Sequence, residues 1–257
     1  MFQLFRNVPG QQLHVQRIFD LRDPGTDHTW LWSLGRKKQE ALQAEEFVMC
    51  LRMRLGAHLQ PDDCLCQYCG EAVLDVHGHH SHICAGAEST KGHTGVRDAV
   101  LNLAIKADPA AESEPVSLIS SRPALRPADI LTAGAIQGTM AALDVGVTAP
   151  SAADGEQDCT ESYHGVKIRK YGRYFNELSA SGIQYKPIIW STWGRPHPSA
   201  TAVLQSLAAR ASRRRGMTSG RDLLRSACCS ISLALQRRAA RMAIACIRVE
   251  EDDDDGG

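Results

Sequence analysis

The chain has 257 residues, of which 43% are hydrophobic and 23% are charged, and its 29 basic residues balance its 29 acidic ones. This composition is close to the globular average, which excludes a wholly disordered or collagen-like chain. No apolar run approaches the ~18 residues that span a membrane, and the N-terminal residues lack the apolar stretch of a secretory signal, so we expect an intracellular protein with no membrane partner.

The first predicted element is a helix over residues 36–55, because its apolar residues recur at helical spacing and Gly56 provides a natural stop. A second helix is predicted over residues 94–106, with Thr94 as its N-cap. The periodicity of the remaining chain predicts strands at 115–120, 128–133 and 140–149, a helix at 160–178, a strand at 185–192, and helices at 198–214 and 219–246. The order α-β-β-β-α-β-α after the cysteine-rich stretch predicts an α/β (α+β) fold.

A cysteine- and histidine-rich stretch between the first two helices has the spacing of a metal-binding module. Cys66 and Cys69 form a C-x2-C pair, which places two thiolates on one tight turn. His80 and Cys84 are four residues apart, which places both on one face of a helical turn. The four residues together predict a closed Cys₃His zinc site that stabilises the fold and performs no chemistry.

Other residues of this stretch compete for the same role. The rival ligands are Cys64, His77, His79 and His82. The identity of the histidine ligand therefore stays open at this point. The alternative interpretation is a loop with free cysteines, although buried free thiols seldom group in this way. Cysteines grouped with histidines indicate metal binding rather than disulfides, and hence a reducing compartment.

Two of the predicted strands carry one aspartate each. Asp129 begins one strand, and Asp144 lies in the middle of the next, between Leu143 and Val145. Adjacent antiparallel strands could bring both carboxylates to one Mg²⁺ or Mn²⁺ ion, the arrangement that metal-dependent nucleases need. A carboxylate between apolar neighbours is costly to bury without a partner, which favours a functional role for Asp144.

Two lysines on the following predicted helix complete this candidate site. Lys167 and Lys170 are three residues apart and so lie roughly on one face, where a lysine could stabilise the attacking water or the scissile phosphate. Glu112 or Glu114 could add a third carboxylate. The alternative interpretation is that Asp129 caps a turn and that both lysines are surface charges.

The zero net charge conceals a basic C-terminal half. Residues 162–249 contain sixteen basic and two acidic residues, a net formal charge of +14. Such a surface favours DNA, with RNA as a second candidate, and gives no indication of a small-molecule substrate. The proposed contacts are Arg213, Arg214, Arg215, Arg237, Arg238 and Arg241. Solvated helix faces are the alternative explanation, and the acidic run Glu250 to Asp255 could shield the basic surface.

The order of these motifs resembles one protein family. Cys66-x2-Cys69…His80-x3-Cys84, then Lys91-Gly-His93…Arg97, RPADI, LDVGVT and HGVKIRKYG are similar to the C-terminal region of non-LTR retrotransposon polyproteins. In those proteins a CCHC zinc knuckle precedes a restriction-like endonuclease of the PD-(D/E)xK type, downstream of a reverse transcriptase. The resemblance covers about residues 64–195.

The resemblance implies roles for particular residues. The metal-binding aspartate of the family corresponds to Asp129, which follows Pro127-Ala128, and the second acid corresponds to Asp144. The lysine usually found two residues after that acid is replaced by Gly146. The resemblance assigns its role to Lys167 on the following helix, with Lys170 beside it.

Taken together, we expect a restriction-endonuclease-like core with a zinc knuckle, acting as a Mg²⁺- or Mn²⁺-dependent DNA endonuclease in the nucleus. The expected segments are a helical N-terminal part that corresponds to a polyprotein linker, the knuckle, the nuclease core, basic helices and a disordered acidic tail, at residues 1–60, 61–90, 91–200, 201–249 and 250–257. The main alternative is an inactive nucleic-acid-binding remnant of a retroelement. A purely structural zinc protein is the third.

Overall fold

A mixed β-sheet covered by helices on both faces is the centre of the computed structural model, which describes residues 11–32, 41–84, 86–150 and 158–247. Its helices are α1 Gln11–Arg22, α2 Ala44–Leu55, α3 Gly86–Ala107, α4 Cys159–Tyr171, α5 Phe175–Ala180, α6 Pro198–Arg214 and α7 Arg221–Ile247. Its strands are β1 Cys64–Leu65, β2 Val73–Leu74, β3 Glu112–Ser113, β4 Ile130–Thr132, β5 Met140–Thr148 and β6 Ile183–Ser191. Short 3₁₀ turns occupy Thr29–Leu31, His79–His82 and Gly172–Tyr174.

The sheet has the strand order β3-β4-β5-β6. β4 runs antiparallel to both β3 and β5, whereas β5 and β6 are parallel over nine residue pairs from Met140↔Ile183 to Thr148↔Ser191. Parallel neighbours need a long crossover connection, and α4 and α5 provide it here. The predicted α/β class is confirmed, with helices and strands alternating from α3 onward.

The two faces of the sheet bury different side chains. On one face, Leu143 and Val145 of β5 pack with Ile188 of β6 against α3, α6 and α7 in the largest apolar cluster. On the other face, aromatic side chains of the α4–α5 segment pack around Tyr185 and Ile119. The alternation of β5 therefore directs its odd-numbered residues into the main core and its even-numbered residues, including Asp144, toward α4.

The helix α7 packs against α3, α2 and the cysteine-rich module. Its contact with α3 explains one of the two glycines at this crossing. A Cβ atom at Gly92 would lie 2.3 Å from Cγ of Arg238, and one at Gly95 would lie 3.5 Å from Cβ of Ala234. The close approach of the two helices thus requires glycine at position 92, despite its low helix propensity.

Several predicted boundaries were wrong. The helix predicted over 36–55 begins at Ala44. Its start is capped by a hydrogen bond of 2.9 Å from the backbone N–H of Gln43 to the side chain of Glu46. Residues 36–40 lie outside the described residues. Its predicted end is confirmed, since Gly56 adopts the left-handed conformation with φ of 69°. The second helix begins at Gly86, so Thr94 is an internal residue and not an N-cap.

The strand predicted at residues 115–120 does not form. Glu114 and Ser117 have φ values of 52° and 57°, which take the chain out of the extended conformation, and Pro115 lacks a backbone N–H for a strand ladder. The short β3 precedes this segment instead. The helix predicted at 160–178 is interrupted by the 3₁₀ turn Gly172–Tyr174, and α6 and α7 match their predictions to within two residues.

A buried ion-pair network holds α1 against the rest of the fold. The guanidinium of Arg195 donates from Nε to Asp20 Oδ1 at 2.5 Å and from Nη1 to Asp158 Oδ2 at 2.6 Å. Asp158 also caps α4 by accepting from the backbone N–H of Thr160 at 2.8 Å.

In the part of the chain that the structure describes, no helix is both long and apolar enough to cross a membrane.

Candidate functional site

The predicted metal ligands converge in the cysteine-rich module. The ligand atoms of Cys66, Cys69, His80 and Cys84 all lie within 4.8 Å of one another. The Sγ atoms of Cys66 and Cys84 are 3.8 Å apart, and Cys69 Sγ is 3.4 Å from His80 Nε2. Tetrahedral zinc with Zn–S bonds of about 2.3 Å separates its sulfur ligands by about 3.8 Å. The cluster therefore has the composition and dimensions to hold a metal such as zinc.

Local backbone geometry explains how the ligands meet. The β1–β2 hairpin positions Cys66, whose carbonyl accepts from the N–H of Gly70 at 2.8 Å, and Gly70 supplies the left-handed residue of the turn. Hydrogen bonds from backbone N–H groups, first that of Glu71, lower the pKa of the Cys69 thiol to about 6. This favours the thiolate, the form of cysteine that binds metals.

The rival ligands are engaged elsewhere. Cys64 donates to the Gln60 side chain at 3.3 Å, and the ring of His77 packs on His58. Nδ1 of His79 lies 2.6 Å from Asp75. His82 is buried against the Trp193 ring with a centroid distance of 4.8 Å, and burial lowers its pKa to about 3. Among the described residues, His80 is therefore the histidine that joins the cluster.

A cysteine from the distant helix α7 also reaches this module. Cys246 is fully buried beside Cys66 and Cys84, and its backbone carbonyl accepts from the N–H of Gln67 at 2.9 Å. Burial raises the pKa of the Cys246 thiol. Sequence reasoning missed this residue, since nothing in the local spacing connects it with the module.

The two predicted aspartates lie close together, one directly before β4 and the other on β5. The antiparallel ladder of these strands begins at the pair Ile130 and Leu143, and Asp129 is the residue that precedes it. The N–H of Asp129 donates to the Leu143 carbonyl at 2.9 Å, and its Oδ2 accepts from the N–H of Val145 at 2.7 Å. Both contacts hold Asp129 beside β5, where its carboxylate and that of Asp144 interact electrostatically.

Asp144 is only 5% exposed and is bound by two donors. Its Oδ1 accepts from Nζ of Lys167 at 2.8 Å, and its Oδ2 accepts from the hydroxyl of Tyr185 at 2.5 Å. Burial raises the pKa of Tyr185, and the Asp144 charge raises it further, so this hydroxyl stays a donor. Sequence reasoning identified Lys167 but missed Tyr185.

Burial and mutual repulsion shape the electrostatics of the acidic pair. Burial raises the pKa of Asp129, the Asp144 charge raises it further, and His93 opposes both effects. Burial lowers the pKa of Lys167, but the charge and hydrogen bond of Asp144 outweigh it, so the net shift is upward. Lys167 is therefore a protonated cation at neutral pH.

The histidine of the Lys91-Gly-His93 motif belongs to the same site. Nε2 of His93 lies 3.1 Å from the carbonyl oxygen of Val145 and 3.7 Å from Oδ2 of Asp129. The resemblance included this motif, but the sequence alone assigned His93 no role.

The position of Lys167 is explained by the crowding around Gly146. A Cβ atom at Gly146 would lie 2.6 Å from Cδ1 of Ile189 and 2.9 Å from Cε1 of Tyr163. No lysine fits in β5 two residues after Asp144, because α4 packs directly on the strand there. The same packing brings Lys167 of α4 to the carboxylate.

The structure does not bring the remaining catalytic candidates to this pair. Lys170 is exposed, with its Nζ 4.9 Å from the centroid of the adjacent Tyr171 ring, so the side chains of the two predicted lysines diverge. Glu112 is exposed on the edge strand β3. Glu114 forms ion pairs with Arg97 at 2.5 Å and Arg126 at 3.7 Å.

The six candidate arginines separate into two groups. Arg213, Arg214 and Arg215 are exposed at the end of α6, as a nucleic-acid contact requires. Arg237 and Arg241 pair with Glu46 of α2 at 3.6 and 2.7 Å, which compensates their charges within the protein.

The three candidate arginines of α7 are engaged within the protein, because α2 and α3 pack on that side of the helix. Arg238 is 7% exposed, and its Nη2 donates to the hydroxyl of Ser89 at 2.8 Å. The acidic run Glu250 to Asp255 lies outside the described residues, so its shielding of the basic surface stays a prediction.

A second group of ligand-type side chains, not foreseen from the sequence, lies at the start of α6. Nε2 of His197 is 2.7 Å from Glu161, and its Nδ1 accepts from the N–H of Ser199 at 3.1 Å. The His164 ring stacks on His197 with an interplanar angle of 14°. Because imidazole lone pairs lie in the ring plane, two stacked rings do not point at a common ion. This arrangement is a hydrogen-bonded cap of α6.

The pair of carboxylates with Lys167, Tyr185 and His93 forms one group beside β5. Two carboxylates offer the hard oxygen ligands that Mg²⁺ prefers, and a protonated lysine can stabilise a developing negative charge. A scan against models of known protein families finds no match, and a search of curated proteins finds no significant similarity. Function is therefore inferred from the residues and their geometry.

Proposed function

We propose that this chain is a divalent-metal-dependent DNA endonuclease with a structural zinc knuckle. One observation carries the proposal: the Asp129 carboxylate accepts from the N–H of Val145, the residue next to Asp144, at 2.7 Å, and Lys167 binds Asp144 at 2.8 Å. Two acids and a lysine at one point are the minimum that hydrolysis of a phosphodiester by a metal-dependent nuclease requires. The mixed sheet with its α-β-β-β-α-β order supports this interpretation, since restriction-like endonucleases share that order.

The acidic pair fits a hard divalent cation. The charge on Asp144 raises the pKa of Asp129, so the two carboxylates repel each other, and a cation between them would relieve the repulsion. Asp129 and Asp144 would hold Mg²⁺ or Mn²⁺. When bound, the ion would lower the pKa of a water molecule and polarise the scissile phosphate.

The neighbouring side chains then have separate roles. Lys167 is protonated, so we assign it to stabilising the negative charge that develops on the phosphate, and not to removing a proton from water. Tyr185 donates to Asp144 and keeps that carboxylate oriented. His93 lies 3.7 Å from Asp129, close enough to contribute to the position of that carboxylate or of a bound phosphate.

We assign zinc to the Cys₃His cluster, because three thiolates and one imidazole are soft and borderline donors that zinc accepts in tetrahedral geometry. The exposed arginines at the end of α6 are the proposed phosphate contacts on the surface. DNA is the proposed partner, and RNA remains the second candidate for the same phosphate contacts.

A second candidate function is nucleic-acid binding without cleavage. It is favoured by the fact that both oxygens of Asp144 already accept hydrogen bonds from protein donors, which compensates the buried charge without a metal ion. In that case Lys167 and Tyr185 would be structural partners of Asp144.

Nicking of supercoiled plasmid separates the two functions. We expect the wild-type protein to convert supercoiled to open-circular DNA with Mg²⁺ or Mn²⁺ and to be inactive in EDTA. Asp144→Asn should abolish nicking, and Lys170→Met is the matched control, since Lys170 lies away from the acidic pair. If the protein binds DNA but shows no metal-dependent nicking, the endonuclease proposal is wrong and nucleic-acid binding without cleavage is the function.

A further inference from the structure

A pocket of about 280 Å³ opens beside the acidic pair, between α3, β5, α4 and α7. Its polar lining consists of Ser89, Thr90, His93, Tyr163, Lys167 and Arg238. By liquid volume the space equals roughly nine water molecules, so a phosphate group fits in it. Lys167 and His93 belong to both the pocket and the acidic site, so the two are contiguous.

Arg238 is the unusual residue of this lining. Its alkyl stem crosses α3 at Gly92, where any Cβ atom would collide with it, and this crossing carries the guanidinium to the pocket wall. Nη2 donates to Ser89, while Nε and Nη1 are buried without a hydrogen-bond partner among the described residues. Burial lowers the pKa of Arg238 to about 10, which leaves the side chain charged at neutral pH.

A buried cation without an anionic partner is unfavourable for folding. The neighbouring arginines of α7 avoid this cost, because Arg237 and Arg241 pair with Glu46. Within the described part of the chain, no carboxylate comes within ion-pair distance of Arg238, although it is the most buried arginine of the three. An anion in the pocket would supply the missing countercharge in a low-dielectric environment, where the attraction is strong.

The pocket lining also indicates which anion is bound. Its donors are the hydroxyl of Ser89, the phenol of Tyr163, an imidazole and two cations, all of which suit the oxygens of a phosphate. Asp144 already compensates Lys167, so Arg238 contributes the uncompensated positive charge. The pocket also adjoins the carboxylates that hold the metal in the proposed function.

We infer that this pocket binds a backbone phosphate of the nucleic acid next to the phosphate that is cut, with Arg238 as its buried cationic contact. The inference rests on the proposed function for the position of the cut, but binding of the phosphate itself does not require cleavage. Arg238 would fix the position of the strand relative to Asp129 and Asp144.

The test compares Arg238→Met, which keeps the length of the stem and removes the charge, with Arg241→Met, a charge-removing control less than one turn away. Binding of a short DNA duplex is measured by fluorescence anisotropy in EDTA at several salt concentrations. We expect Arg238→Met to weaken binding about tenfold at low salt and to reduce the salt slope by about one, as loss of one phosphate contact predicts. Arg241→Met should have a much smaller effect on both.

A second measurement distinguishes binding from a purely structural role. Inorganic phosphate should raise the Tm of the wild-type protein and not that of Arg238→Met, whereas the Tm of the phosphate-free variant should equal or exceed that of the wild type. A lower Tm of the phosphate-free variant with unchanged DNA binding would make Arg238 a packing residue and overturn the inference. Loss of phosphate binding alone, with unchanged DNA affinity, would overturn the assignment to a nucleic-acid phosphate.

The two proposals can fail separately. If neither wild type nor variants cut DNA but binding depends on Arg238, the nuclease fails and the phosphate pocket stands. If Arg238→Met binds and cuts DNA like the wild type, the pocket fails and the nuclease stands.

Discussion

Nζ of Lys167 lies 2.8 Å from Oδ1 of Asp144, although the two residues are 23 positions apart in the chain. The contact exists because α4 packs on β5 at Gly146, where any larger residue would collide with Ile189 and Tyr163. The cation beside Asp144 therefore comes from α4, because position 146 of β5 has no space for a lysine side chain.

The first prediction concerns this crowding. Gly146→Ala should destabilise the protein by about 1–3 kcal/mol, because the added methyl group overpacks the α4–β5 contact. It should also reduce nicking by displacing Lys167. Gly172→Ala is the control, since a Cβ atom there meets nothing within 4 Å. Urea denaturation of both variants checks the difference, and equal stability would contradict the close packing.

The second prediction concerns Asp129. Its pKa is raised above the unfolded value, so its contribution to stability is fully present below the unfolded pKa near 4 and is lost as pH rises through the folded pKa. Asp129→Asn should therefore raise the Tm at pH 7 while abolishing nicking. The Tm gain of the variant over wild type should grow as pH increases from about 4. A variant less stable than wild type at pH 7 would indicate that Asp129 stabilises the fold.

The third prediction concerns the metal cluster. The purified protein should contain one zinc ion per chain, and Cys69→Ser should lose it and lower the Tm, because metal binding stabilises the folded module. Cys64→Ser should retain the zinc, since its thiol contacts Gln60 instead. Elemental analysis and thermal denaturation check both variants. Full zinc content in Cys69→Ser would exclude this ligand set.

The fourth prediction concerns the network that holds α1. Arg195→Met should destabilise the protein by about 3–5 kcal/mol, because Asp20 is 1% exposed and would lose its countercharge. Asp20→Asn in the same background should recover part of that loss, since it removes the stranded charge. Arg213→Met, at an exposed position, should change the free energy of unfolding by less than about 0.5 kcal/mol.

Local patterns were sufficient for part of this molecule. The alternation around Asp144 predicted the strand that carries this acid, and the C-x2-C and H-x3-C spacings predicted the four clustered ligands. Each of these features depends on residues close in sequence, where strand or turn geometry fixes the positions of side chains. The spacing alone left open which histidine is the ligand. In the structure, the 3₁₀ turn His79–His82 places only His80 among the cysteines of the cluster.

Other features depend on distant contacts that leave no local trace. The pairing of Arg195 with Asp20 joins residues 175 positions apart, and Tyr185 reaches Asp144 from a neighbouring strand. The charge pattern of α7 predicted three arginines as nucleic-acid contacts, but it contained no information on which of them α2 and α3 would cover. Arg238 was therefore identified as basic from the sequence, whereas its burial required the structure.

The uninterrupted helix α7 has a consequence for the geometry of any partner. Arg238 lines the proposed phosphate pocket and Cys246 packs on the cysteine-rich module, and the two lie eight residues apart on the same helix. Eight residues of α-helix correspond to a rise of about 12 Å. Because one continuous helix carries both residues, the distance between the pocket and the module is fixed, and a nucleic-acid strand that contacted both would have to span that distance.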